Sequence, residues 1–586
     1  MQILHIHAYK LKRYRWIIQR KLITMRNMQA NKNMFEYQKV YMDKLYKIYE
    51  LTAANSQKND MATFQSLQEG MMNAGLKFWQ SALQNPDHWM SAQKKYFESL
   101  KNQPPTNSSY AKYFKSDLWN DIPSAQWIKD VYIKTAEWII NIVDEETLGF
   151  KDDDRQKLKF ITRQMIETMN PRNFPMTNPD VIQETINSNG ENALRGMDNL
   201  IADMERGAIS LTDGAAFTVG ENIAVTPGNV IFQNKLMELI HYPSTAKETF
   251  AEPLVIIPPW INKFYILDLR PENSFIKWLT DQGHQVFCVS WANPDKSFAD
   301  IDFKDYMHDG ALKAIEIANK ICKTKQANVI GYCIGGTLLA MTMAWLKQGK
   351  RTTPIQSATM LTTLLDFEHS GEIRNFIDQN QINAMKQTIQ TNGYVDGKQI
   401  ATSFALLRAS DLIWSFIINN YMMGNKPEPF DLLYWNSDPT NLPATMAIDY
   451  LQHLYIDNAL IKGEYVLDGH ALDLETIDTP AYFLATQDDH IAPHVAVENG
   501  LKSYGGDVRY VLAGSGHIAG VINPPHKNKY GYSIGKNKYS GSWWNDWQKW
   551  ITKSNKKMAF HEPNHYSDVG INILYKAPGT YIIKKT

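Results

Sequence analysis

The sequence predicts an α/β protein: a mainly parallel, doubly wound sheet that carries a long insertion and follows an α-rich segment. Three observations lead there. Up to about residue 165 the apolar residues recur with a helical period. After about residue 215 the texture changes to short β-branched runs, each followed by a Gly/Pro/Asn/Asp loop and a helical stretch. Between Asp366 and Thr479 that alternation stops, and an aromatic, partly helical stretch with Trp414, Tyr421, Trp435 and Tyr450 takes its place.

Length and composition bound the rest. At about 100–200 residues per domain, 586 residues predict two to four domains, and 44% hydrophobic residues suffice for a large core. Basic and acidic side chains number 61 each, so the chain lacks the overall positive excess of nucleic-acid binders. Cys288, Cys322 and Cys333 form no CxxC pair, which argues against a disulfide framework or structural zinc and for a reducing, cytoplasmic compartment. There is no HExxH, no Cys/His pairing at ligand spacing, no GxGxxG and no P-loop; no metal and no nucleotide cofactor is expected.

Taken in order, residues 1–33 hold eight Lys/Arg and no acid, with no apolar stretch of signal-peptide length; they read as a disordered basic arm. Residues 34–210 are expected to form an α-rich domain. Tyr41, Leu45, Ile48 and Thr52, and again Met72, Leu76, Trp79 and Leu83, mark helix-packing faces. Residues 211–586 form the α/β domain, with an insertion over about 367–479. Its predicted strands are Leu254 to Ile257, Gln285 to Trp291, Ala327 to Ile330, Ala358 to Leu365, Ala481 to Thr486 and Val508 to Leu512. No run reaches the roughly 18 apolar residues of a membrane-spanning helix; the greasiest, Phe404 to Met423, is broken by Arg408 and Asp411.

The chemistry concentrates after the third strand. Gly331-Tyr-Cys333-Ile-Gly335, between an apolar strand and an apolar helix from Leu338 to Leu346, is a nucleophile elbow with cysteine in the serine position, the mark of an α/β-hydrolase fold. The turn is so tight that a side chain two residues either side of the nucleophile would collide, hence Gly331 and Gly335. The sulfur sits at a helix N-terminus, whose dipole favours thiolate. In this fold an acid and a histidine follow in that order, each in a loop after a strand. Gln487-Asp488-Asp489-His490 offers the acid, and Ala513-Gly-Ser-Gly-His517 the base. Spacing alone leaves Asp488 and Asp489 open, and His490 and His494 compete with His517. The oxyanion hole is expected from the backbone N–H of Ile334 and from one in the loop Pro258-Pro259-Trp260-Ile261-Asn262, with Trp260 and Ile261 as candidates.

Longer strings from about 170 to the end resemble the class I polyhydroxyalkanoate synthases, the poly(3-hydroxybutyrate) polymerases. They include Gly220-Glu-Asn-Ile-Ala-Val-Thr226, Pro258-Pro-Trp-Ile-Asn-Lys-Phe-Tyr265, Gly331-Tyr-Cys-Ile-Gly-Gly-Thr337, Pro429-Phe-Asp-Leu-Leu-Tyr-Trp-Asn436 and Asp489-His490-Ile491. The resemblance implies Cys333 as covalent nucleophile, His517 as base and Asp489 as the acid. It also implies His490, Asn262 and Trp435 as residues around the substrate. His494 departs from the family string, which usually continues Pro-Trp. The implied reaction is chain growth from (R)-3-hydroxyacyl-CoA, foremost 3-hydroxybutyryl-CoA, with CoA carried by the substrate rather than resident as a cofactor. Also implied are a homodimer, granule-associated proteins as further partners, and a cytoplasmic location at the polyester granule surface. The readings that compete are a cysteine-elbow thioesterase or depolymerase, and a non-catalytic granule-surface scaffold.

Overall fold

The computed structural model describes residues 30–56, 80, 86–102, 108–147, 149–553, 557–559 and 566–585. Of the basic arm, residues 1–29 lie outside these, and 30–33 open the first helix. The stripe Met72, Leu76, Trp79 and Leu83 lies outside them as well.

Among the described residues the longer helices that lead the chain are α1 Ala30–Ser56, α2 Pro86–Ser99, α3 Pro123–Glu146, α4 Asp152–Thr168, α5 Pro179–Asn187 and α6 Glu191–Arg206. The expected packing face of α1 is only partly one. Tyr41 and Ile48 are half-buried while Leu45 and Thr52 are exposed; among the described residues α1 packs chiefly on α6, where Lys44 pairs with Asp198. A firmer core lies around α3, with Phe114, Trp119, Ile133 and Ile166 buried together.

The α/β domain is built on strands β1 Asn229–Gln233, β2 Met237–Tyr242, β3 Leu254–Ile257, β4 Val286–Trp291, β5 Ala327–Tyr332, β6 Ile355–Leu361, β7 Ala481–Thr486, β8 Val508–Ala513, β9 Tyr532–Ile534, β10 Asn537–Tyr539 and β11 Tyr575–Lys576. They form one sheet in the order β10-β9-β8-β7-β6-β5-β3-β4-β2-β1-β11. The pairs from β4 through β3, β5, β6 and β7 to β8 are parallel. β2 on β4, β1 on β2, β11 on β1 and the hairpin β9–β10 on β8 are antiparallel. Parallel strands need crossover helices on both faces, and the burial shows them. Val255, Ile257, Phe287 and Val329 enter one apolar core with helix α7 (Ile334–Gln348), while Leu254, Ile256, Ile330 and Leu484 enter another with Phe275, Trp543, Trp544 and Trp547. Cys288 is buried in this second core, and burial pushes its thiol well up.

The six predicted strands are present, with the third running on to Tyr332 and the fourth shifted to Ile355–Leu361. The antiparallel strands escape the sequence reading because polar residues sit at their buried positions. Glu238 on β2 is fully buried and accepts from the Thr580 amide at 3.0 Å and the Tyr575 hydroxyl at 2.6 Å. His241 lies between the Tyr566 hydroxyl at 2.8 Å and Gln285 Oε1 at 2.9 Å. Those partners are as far as 342 residues away in sequence.

Between β6 and β7 the chain leaves the sheet and returns only at Ala481. This insertion, which includes helix α8 (Gly397–Leu407), is fastened to the leading helices. Arg163 pairs with Glu372 at 2.5 Å and Lys157 with Asp378 at 2.9 Å. The Tyr421 hydroxyl donates to buried Asp203 at 2.7 Å, and the Asn192 side chain donates to the Met422 carbonyl at 2.8 Å. Among the described residues no single helix is long and apolar enough to cross a membrane; the stretch from Gly397 to Met422 is bent by 106°.

Candidate active site

β5 delivers Cys333 to the first turn of α7. Its backbone stands at φ 53°, ψ −123°, a conformation that costs strain and aims the side chain out of the sheet. The glycines make the turn possible. A Cβ on Gly331 would lie 2.4 Å from Gly336 Cα, and one on Gly335 would lie 2.2 Å from the Ile257 carbonyl oxygen at the end of β3.

The loops after β7 and β8 bring up two more groups. Asp489 Oδ2 lies 2.8 Å from His517 Nδ1. The Thr486 hydroxyl donates to the same oxygen at 3.1 Å, and the amides of Ile491 and Ala492 donate to Oδ1 at 2.9 and 2.8 Å. Asp488 is exposed; its amide donates to the Ser515 carbonyl at 2.9 Å and so ties the acid loop to the histidine loop. With Nδ1 engaged, Nε2 of His517 is the nitrogen left to act on Cys333, which lines the same cavity. The Tyr332 hydroxyl donates to the His517 carbonyl at 3.2 Å, and the two rings stack.

Burial pulls the His517 pKa down, but the Asp489 carboxylate and the Cys333 sulfur outweigh it and hold the imidazole up at about 10 against an ordinary 6.5. For Asp489, burial pushes up while His517 and the two amides pull down, and the net direction is down. The site thus favours a carboxylate–imidazolium pair beside the sulfur. His490 behaves in the opposite way: burial dominates and lowers it to about 4. His494 sits 3.6 Å from Glu498 at the start of the next helix, half-exposed. Neither competes with His517 for Asp489.

Cys333 stands where two cavities meet. One, of about 140 Å³, is apolar, walled by Leu364, Phe367, Phe404, Tyr450 and Tyr455. The other, of about 500 Å³, is more polar, with Asn262, Arg408, Trp435, His490 and His517 in its wall. Ile261 lines both and Ile334 lines the first, whereas Trp260 lines neither, its indole being buried against Tyr306. The three residues expected around a substrate, Asn262, Trp435 and His490, therefore share one cavity. Asn262 Oδ1 and His490 Nδ1 have no hydrogen-bond partner among the described residues. The Trp435 indole N–H is spent on the Lys263 carbonyl at 2.6 Å. Sequence reading marked Tyr450 as part of the insertion without placing it, and it missed Tyr332 and Thr440, whose hydroxyls bond backbone carbonyls at the site. No local signal marks such contacts. Among the described residues no cluster of His, Cys, Asp and Glu could hold a metal ion.

The strand order, the elbow at Cys333 and the Asp489–His517 pair after β7 and β8 define an α/β-hydrolase fold with cysteine at the elbow. Residues 252–524 match the alpha/beta hydrolase fold family, and residues 110–279 match the poly-beta-hydroxybutyrate polymerase (PhaC) N-terminus. The chain is 40% identical to the poly(3-hydroxyalkanoate) polymerase subunit PhaC of Rhizobium etli, over 89% of this chain and 84% of that protein. It is 42% identical to the poly(3-hydroxyalkanoate) polymerase of Methylorubrum extorquens, over 83% and 82% of the two. For the PhaC subunit of Cupriavidus necator the identity is 37%, over 82% and 84%. The chain belongs to the poly(3-hydroxyalkanoate) polymerase family, synthases of the acyltransferase type. The likeness starts well before residue 170, since the N-terminal family match opens at 110.

Proposed function

We propose that this protein polymerises (R)-3-hydroxyacyl-CoA, foremost 3-hydroxybutyryl-CoA, and releases CoA through a thioester on Cys333. The observation that carries this reading is the Asp489–His517 hydrogen bond set beside Cys333 at the meeting point of two cavities. The proton of Cys333 passes to His517 Nε2 and forms the imidazolium that Asp489 stabilises, and the thiolate attacks the thioester carbonyl carbon. The carbonyl oxygen becomes an oxyanion held by backbone N–H groups of Ile334 and Ile261. When it collapses, the carbon–sulfur bond to CoA breaks, and CoA leaves as the thiol with the proton from His517.

The choice of sulfur follows from energetics. Exchange of one thioester for another is close to neutral, so the acyl group on Cys333 stays activated, and its transfer to a 3-hydroxyl as an oxoester runs downhill. In that second step His517 removes the hydroxyl proton, the oxygen attacks the acyl carbon, the bond from that carbon to the Cys333 sulfur breaks, and His517 returns the proton to the sulfur. The Asp489 side chain is fully buried and its two oxygens already accept four hydrogen bonds, which supports leaving it the task of orienting His517. Ile400, Phe404 and Tyr450 of the insertion wall the cavities, in keeping with a cover that excludes water and so prevents hydrolysis; in our reading this cover moves to admit substrate. No resident cofactor is required. The working unit in this reading is a homodimer at the granule surface in the cytoplasm, together with granule-associated proteins, and residues 34–210 supply the contact.

Purified protein given 3-hydroxybutyryl-CoA tests the reading: CoA release together with insoluble polyester is expected, and Cys333→Ala is expected to abolish both. Release of CoA with free 3-hydroxybutyrate would make the protein a thioesterase, and no release would leave the scaffold reading. Co-sedimentation of full-length and N-terminally truncated protein with isolated granules tests the location.

A further inference from the structure

Thr440 belongs to the insertion, yet it holds the loop that follows β3. Its buried hydroxyl donates to the Trp260 carbonyl, and its amide donates to the Ile261 carbonyl at 3.2 Å. A peptide unit is planar and trans, so the Trp260 C=O and the Ile261 N–H point in opposite directions along one plate. Fixing the carbonyl on one side fixes the N–H on the other. Ile261 is also the residue of this loop that lines both cavities beside Cys333.

The neighbours of Thr440 reinforce the same loop. The Trp435 indole donates to the Lys263 carbonyl at 2.6 Å. Lys263 Nζ, buried, lies 2.7 Å from Asp438 Oδ1 as an ion pair, and the Tyr265 hydroxyl donates to Asp438 Oδ2 at 3.0 Å. From the other side the Trp291 indole donates to the Pro258 carbonyl at 2.8 Å. The carbonyls of residues 258, 260, 261 and 263 are therefore all held, three of them by residues 435–440 of the insertion.

We infer that Thr440 is a positioning residue: its hydroxyl, backed by the Lys263–Asp438 pair, sets the Ile261 N–H as an oxyanion donor, so that the insertion governs the chemistry as well as covering it. This rests on the thioester reading above. Acylation of Cys333 by a thioester passes through an oxyanion, whereas its alkylation by iodoacetamide displaces iodide at a saturated carbon and needs no such donor.

The test compares both reactions on the Cys333-containing peptide in the full-length protein. Thr440→Val keeps the side-chain shape and removes the hydroxyl. Acylation by 3-hydroxybutyryl-CoA is expected to slow by about 10- to 100-fold, below the loss from deleting an oxyanion donor outright. Alkylation is expected at the wild-type rate, and Thr440→Ser is expected to restore acylation. Asp438→Asn, which weakens the ion pair without emptying its space, is the second variant and serves if the valine protein does not fold; the same split is expected at smaller size. Wild-type acylation in both variants would overturn the inference, as would an equal fall in alkylation. If the wild-type protein itself releases no CoA, the proposed function fails instead.

Discussion

At His517 two large effects oppose each other: burial strips its charge, while Asp489 and Cys333 restore it. Because the folded pKa, about 10, lies above the ordinary 6.5, the stability this histidine adds is complete below pH 6.5 and is lost as pH rises through 10. Asp489 works in the other direction; its lowered pKa adds stability that disappears in acid. Asp489→Asn removes the larger of the two charges that raise His517, so its pKa is expected to fall. Thermal unfolding followed from pH 6 to 10 is expected to lose much of its alkaline decline. CoA release is expected to fall on the order of 10³–10⁴-fold, the size seen when a triad acid becomes an amide. Cys333→Ala is expected to lower the His517 pKa part of the way, read by NMR of labelled histidine. The choice between Asp488 and Asp489 shows where physics in the sequence ran out: adjacent residues in one loop differ only in which side chain turns inward, and that is decided by the Thr486 hydroxyl and the amides of Ile491 and Ala492.

Among the elements, the strands with both faces buried were legible. A parallel strand between two helical layers has to read as a continuous apolar run, as Leu254–Ile257 and Ala481–Thr486 do. β1, β2 and β11 were not, because Glu238 and His241 are made tolerable by partners from the far end of the chain. The elbow was legible since its glycines answer a local steric demand. Gly335→Ala tests that demand: its methyl group would meet the Ile257 carbonyl oxygen, and β3 and α7 cannot both keep their places. A loss of about 2–3 kcal/mol is expected, by analogy with overpacked cores, read as a lowered Tm with CoA release reduced in the surviving folded protein. Thr440 was not legible at all, because a hydroxyl that holds a carbonyl across 180 residues leaves no periodicity behind.

For the molecule as a whole, the insertion is held between the sheet and the leading helices. Tyr421→Phe removes the bond to buried Asp203 without changing the ring. It is expected to cost about 1–2 kcal/mol and to make the segment 417–425 more open to proteolysis, seen as earlier cleavage there at unchanged secondary structure. The half-exposed pair Arg163–Glu372 is worth far less, about 0–1 kcal/mol, so Arg163→Ala is expected to leave Tm nearly unchanged. The two edges of the eleven-stranded sheet carry a different consequence. One ends in β10, only Asn537–Tyr539, with Lys538 exposed on it; the other ends in β11, two residues long and tied down through Tyr575 to Glu238. Short, lysine-bearing edges give an intruding strand little backbone to pair with. A protein with so broad a sheet is thereby guarded against joining its copies edge to edge into amyloid-like aggregates.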